Sequence, residues 1–121
     1  MLNCFVVGIG GFLGSVCRYL IGLLPIYEST VFPIKTLFIN ILGAFAIGLI
    51  VFSAHESKFV DPKVILLLKV GVCGGFTTFS TFAEETFGLI QKGAFAVAFF
   101  YIFSSVFLGI GAVIAAKSIA G

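Results

Sequence analysis

The sequence predicts an all-α integral membrane fold, with four transmembrane helices and the third broken at its centre, assembled as an antiparallel, dual-topology homodimer. Three observations carry this. The 121 residues are 60% hydrophobic and 10% charged, with a mean hydropathy of +1.26, whereas about 25% of the residues of a soluble domain are charged. Charges and prolines divide the chain into four apolar segments, and a span needs ~20 residues. Finally, the lysines and arginines fall almost evenly on the two membrane faces those segments define.

The length is filled by one four-span membrane domain over 1–121, leaving no room for a separate soluble unit. The first span covers about 4–24 and is closed by Pro25. No Lys or Arg precedes Arg18, so a signal peptide's basic start is missing and this stretch is expected to remain as a span. The second, about 36–54, follows Pro33 and ends at His55, Glu56 and Lys58; the fourth, about 94–116, lies between Lys92 and Lys117. Each is long enough to cross as a helix that satisfies its own backbone groups.

The third segment differs. Its uncharged run, Val70 to Ala83, is too short for a span and lies between Lys69 and the pair Glu84, Glu85. Extended to 63–91 it becomes longer than a straight crossing requires. Gly71, Gly74 and Gly75 near its middle raise the cost of helix, and the hydroxyls of Thr77, Thr78, Ser80 and Thr81 can cap a new one. A break near 74–78 is expected. Non-helical backbone at membrane depth needs protein or a polar cavity around it, and such breaks recur at ion and substrate sites. The spacing T-x-x-E from Thr81 to Glu84 suggests the cap of the second half.

One membrane face receives Lys58, Lys63, Lys69 and Lys117, the other Arg18, Lys35 and Lys92. With no excess to set orientation, the chain is expected to insert both ways round and to pair antiparallel. A net charge of +2 without a basic patch argues against nucleic acid as a partner.

Candidate functional residues follow from depth and spacing. Gly8, Gly10, Gly11 and Gly14 in the first span suit close helix packing and lack the strand and acidic residue of a dinucleotide motif. Arg18 can anchor at the interface or draw an anion into a vestibule. Asn40, about 10 Å into the membrane at ~1.5 Å per residue, shares a helical face with Gly43, Ala44 and Gly48 and must find partners. Those partners can be another helix or an anion. Phe79 and Phe82 share a face of the second half-helix beside Ser80 and Thr81; ring edges carry the positive side of the aromatic quadrupole. Tyr101, Ser104 and Ser105 form a second polar stripe in the fourth span. Cys4, Cys17 and Cys73 have neither disulfide nor zinc spacing and are expected to be small buried residues. No nucleophile–base set or metal motif is present, so no enzymatic activity is expected.

Arg18 in G-G-F-L-G-S-V-C-R-Y, Asn40 in T-L-F-I-N-I-L-G and the central G-V-C-G-G-F-T-T-F-S-T-F closely resemble the Fluc/CrcB family of fluoride channels over the whole length. The resemblance implies a dual-topology homodimer in the cytoplasmic (inner) membrane that exports fluoride and lowers its cellular level. It implies that Phe79 and Phe82 line the pores, that Asn40 contacts the ion path, and that Ser80, Thr81, Tyr101 and Ser105 continue it. It also implies a structural sodium ion at the dimer centre, held by the backbone carbonyls of Gly74 and Thr77. A small dual-topology multidrug transporter has similar length and spans, but resembles its kin in carrying an essential carboxylate in the first span, where this chain has none. A non-transporting assembly factor would explain the glycine faces but not the break with its hydroxyls and rings.

Overall fold

The computed structural model describes residues 1–26, 32–57 and 60–121; Lys58, counted above in the charge balance, lies outside them. Four stretches are long and apolar enough to cross a membrane: Leu2–Gly22, Ile34–Glu56, Pro62–Gln91 and Phe95–Ala120. The first, second and fourth are the continuous helices α1 (Leu2–Gly22), α2 (Ile34–Glu56) and α6 (Phe95–Ala120). The third is composite: α3 (Pro62–Ile65), a π-helical stretch (Leu66–Cys73), α4 (Gly74–Phe76) and α5 (Phe79–Gln91). Asp61 starts it by accepting the Lys63 N–H at 2.9 Å, with Pro62 in the first helical position where its missing donor costs nothing.

The interruption falls at Thr77 and Thr78, both extended (φ −83°, ψ 157°; φ −147°, ψ 120°). It lies at the far end of the expected 74–78 window, and Gly74 at the near end is still helical (φ −63°, ψ −39°). The glycines serve packing instead. A Cβ on Gly75 would lie 2.6 Å from the Gly11 carbonyl oxygen, and one on Gly71 2.8 Å from Gly10 Cα. β-branched threonine suits extended backbone, and the hydroxyls supply the local bonds that end one helix and begin the next. Thr77 Oγ1 donates to the Cys73 carbonyl at 2.9 Å, and Thr78 Oγ1 accepts the Thr81 N–H at 3.2 Å. The cap is therefore Thr78, with Thr81 in the third helical position, and not the Thr81–Glu84 pair expected from spacing.

Two glycine seams organise the helices. Gly10, Gly11 and Gly14 lay α1 parallel to residues 62–76, with Gly14 against the Val72 carbonyl. Gly48 brings α2 against Ala116 and Val113 of α6, and Gly43 meets Thr77 at the break. Small residues let backbones approach in lipid, where packing drives association. At the other end of α2 lies a core of Leu37, Leu89, Ala98 and Tyr101, flanked by Phe32, Ile41, Phe82, Ala94 and Val97. The turn from α5 to α6 closes on Gly93 at φ 76°, a left-handed position natural to glycine; its N–H donates to the Ile90 carbonyl at 3.0 Å and that of Ala94 to Leu89 at 2.9 Å.

Of the cysteines, Cys73 is buried, whereas Cys4 and Cys17 are exposed in the single chain. The expectation of three buried thiols fails because α1 buries only Gly10 and Gly14 against its neighbours. Gly75→Ala should force α1 from α4 at a cost of about 1–3 kcal/mol, read as a lower unfolding midpoint in detergent. Gly22→Ala, in open space, should leave the midpoint unchanged.

Candidate functional site

Stopping a helix at Thr77 frees backbone groups that cannot turn to water at this depth. Asn40 answers at once for two of them. Its Oδ1 accepts the Thr78 N–H at 2.8 Å and its Nδ2 donates to the Thr78 carbonyl at 3.0 Å. In a continuous helix the Thr78 N–H would bond the Gly74 carbonyl; diverted to Asn40, it leaves that carbonyl without its helical donor. The neighbouring Gly75 carbonyl accepts from Arg18 Nε at 3.2 Å. Of the alternatives for Asn40, the helix-to-helix bond is present, and one Nδ2 hydrogen remains beyond it. Arg18 is neither a purely interfacial anchor nor part of the cleft described next, since its guanidinium reaches the break from the α1 side.

Beside the break lies a cleft of about 400 Å³ lined by Asn40, Gly74, Thr77, Phe79, Phe82 and Ser105, among others. Phe79 is 77% exposed in the single chain and its ring centroid lies 5.7 Å from that of Phe82. Ser105 Oγ is buried and has no hydrogen-bond partner among the described residues, an unusual state for a hydroxyl in a folded protein. Ser80 is exposed and Thr81 part-buried; both hydroxyls approach Thr78 Oγ1, at 3.4 and 3.1 Å. They belong to the cap beside the cleft and are not among the residues lining it.

Tyr101 lies behind Phe82, fully buried, with its ring edge-on to Phe82 at 5.0 Å. Its hydroxyl donates to Glu85 Oε1 at 2.9 Å, and Thr36 Oγ1 donates to Glu85 Oε2 at 3.0 Å. Sequence reasoning left Glu85 without a role and passed over Thr36. The signal was present: Glu85 follows Phe82 by the same three-residue step that separates Phe82 from Phe79, and Thr36 precedes Asn40 by one helical turn. Three stripes therefore run side by side: Thr36–Asn40–Gly43 on α2, Phe79–Phe82–Glu85 on α5, and Tyr101–Ser105 on α6.

A discontinuous helix clamped by a part-buried amide, inside four spans this small, defines a polytopic membrane protein with polar groups gathered at mid-depth. Residues 5–117 match the family described as CrcB-like protein, Camphor Resistance (CrcB), and the chain belongs to the CrcB family. It is 46% identical over 105 residues to the fluoride-specific ion channel FluC of Chlorobaculum tepidum, covering 87% of this chain and 83% of that one. The protein of the same name from Chlorobium chlorochromatii is 42% identical over 88% of this chain and 83% of its own. That of Oceanobacillus iheyensis is 40% identical over 92% and 85%.

Replacing Asn40 by Leu leaves both Thr78 groups without partners, at about 1–3 kcal/mol for each. The expected result is a lower unfolding midpoint and faster hydrogen exchange at the Thr78 amide, about tenfold for each 1.4 kcal/mol.

Proposed function

We propose that this chain is a fluoride-selective ion channel that exports fluoride across the cytoplasmic membrane and lowers its level in the cell. The observation that carries the reading is the cleft at the break. It is lined by two phenylalanine rings, an amide and a hydroxyl whose oxygen has no partner among the described residues. None carries a full positive charge. Such a lining favours a small, strongly hydrogen-bonding anion weakly enough to let it leave, as conduction requires. The names of the relatives point the same way. In this reading Asn40, Phe79, Phe82 and Ser105 contact the ion, Ser80 and Thr81 stand at the entrance, Tyr101 extends the path beyond Phe82, and Arg18 raises anion concentration near the break.

The functional unit is an antiparallel homodimer in the bilayer, inserted in both orientations. The high exposure of Phe79 in the single chain supports a second copy completing the wall, and the even distribution of basic residues supports dual insertion. A structural sodium ion at the twofold centre fits the residues present. The Gly74 carbonyl has lost its helical donor, and Thr77, whose N–H still closes on the Cys73 carbonyl, turns extended and carries its own carbonyl out of the helix, giving oxygen donors of the kind that replace the water shell of an alkali cation. Bound there, the ion would offset the partial negative charge of two facing helix ends.

Purified protein in liposomes should release fluoride rapidly down a gradient and chloride barely at all, as read by ion-selective electrodes; equal leak of both would remove the assignment. Phe79→Ile and Phe82→Ile should each lower fluoride flux while the protein remains a folded dimer by size-exclusion chromatography. Reporter fusions at Gly121 should score on both sides of the membrane, and a one-sided result would end the dual-topology reading.

A further inference from the structure

The third span carries two charges that the site does not use. Lys69 lies two helical turns inside Pro62 and Glu84 two turns inside Gln91, each about 10 Å from its own end at ~1.5 Å per residue. Both are exposed in the single chain, and neither has a hydrogen-bond or ion-pair partner among the described residues. Capping α5 falls to Thr78, so Glu84 is free of that role. Ionised side chains at this depth are costly, and they occur facing protein or a water-filled cavity, paired with one another. A lysine can snorkel outward along its stem; the shorter glutamate reaches less far.

Their placement is symmetric. The midpoint of Pro62–Gln91 falls between Phe76 and Thr77, at the break, and reversing the span about that point brings position 69 level with position 84. The same reversal sets Asp61, just before the span, level with Lys92, just after it; both are exposed. Two pairs of opposite charge thus share one centre. Lys69, Gly74, Phe79 and Glu84 are all exposed, whereas Gly71 and Gly75 hold the span against α1. The uncovered surface passes through Phe79, where the channel reading already seats a second copy.

We propose that these charges form an interaction surface for a second, inverted copy of this chain, Lys69 of each copy pairing with Glu84 of the other, one pair on either side of the break. This rests on the antiparallel dimer proposed above and adds what selects it. Copies inserted both ways round meet in the same orientation as often as in opposite ones. Side by side in the same orientation, Lys69 faces Lys69 and Glu84 faces Glu84, and like charges suppress that encounter. Inverted, each charge meets its opposite at a depth where water screens the attraction poorly. The pairs also fix the register, because sliding one copy along the other by a turn separates both together. Desolvation offsets much of the attraction of a buried ion pair, so its effect is on which arrangement forms; leaving either charge without its partner is what costs most.

The test is charge reversal. Lys69→Glu or Glu84→Lys alone sets like charges opposite each other at both contacts and should raise the dimer dissociation constant in liposomes about tenfold or more. The double variant Lys69→Glu/Glu84→Lys should bring it back towards that of the unaltered protein. Single reversals that leave dissociation unchanged, or a double reversal no better than the weaker single one, overturn the proposal. Should the reversals not fold, Lys69→Cys/Glu84→Cys in a Cys4→Ser/Cys17→Ser background decides. Within one chain the two positions are about 22 Å apart at ~1.5 Å per residue, so a short bifunctional maleimide of about the reach of a lysine–glutamate pair joins them only between copies. It should yield a covalent dimer that neither single-cysteine variant gives; no covalent dimer, or an equal yield from a single variant, overturns the proposal. A monomeric unaltered protein removes the dimer itself and the pairing with it, whereas a dimer indifferent to reversal removes the pairing alone.

Discussion

A helix that stops inside a membrane must have its freed N–H and C=O groups met by protein, and here one side chain meets both groups of one residue. The Asn40 amide closes on the N–H and carbonyl of Thr78, so both groups of that residue are met where the third span breaks. The other local features follow from that clamp. Thr78 is free to turn its hydroxyl to capping α5, and Gly43, one turn along α2, gives Thr77 room to leave the helical line. Gly74 then sheds its donor, and Arg18 takes over the Gly75 carbonyl from the α1 side. Two neighbouring spans thus hold the interruption from opposite directions.

The positions of the polar groups are set by this arrangement together with the helical repeat. Thr36 and Asn40 lie one turn apart on α2, Phe82 and Glu85 follow Phe79 at three-residue steps on α5, and Ser105 follows Tyr101 on α6. Because α2 and α6 run parallel, joined at Gly48 and Ala116, their stripes stay in register. The outcome is a line of aromatic rings and hydroxyls with a carboxylate at one end. The remaining surface of α6, with Phe99, Phe103, Phe107, Ile110 and Ile114, is apolar and exposed in the single chain, as a helix facing lipid or another protein should be.

Much of this was legible beforehand, and the reasons for what was not are physical. Four spans follow from composition, since each apolar run needs only length to qualify. That Asn40 faces protein follows from the cost of an amide in hydrocarbon. The break was legible in kind and in neighbourhood, but the glycines do not make it, because intrinsic propensity penalises glycine in a helix while tertiary packing rewards it wherever two backbones must touch; Gly75 against Gly11 is that case. The cap was assigned one turn late because T-x-x-E is a local pattern, and the residue that caps is fixed by where the helix begins. Glu85 went unexplained since its partners, Thr36 and Tyr101, come from other spans, and no local spacing brings three helices together.

The π-helical stretch Leu66–Cys73 had no signal in the pattern of apolar residues, and its position has a geometric consequence. Each residue of an α-helix turns the chain by about 100°, and wide turns of this kind behave as an extra residue accommodated within a helix. Everything downstream is rotated by that insertion, so the azimuth at which Gly74, Thr77 and Thr78 emerge is set by an eight-residue stretch whose last member, Cys73, holds Thr77 through its carbonyl. Tightened to an ordinary coil, the same stretch would swing Thr78 away from α2 and leave the amide grasping at a neighbour. The aim of the interruption is stored upstream of it, in the pitch of its own approach.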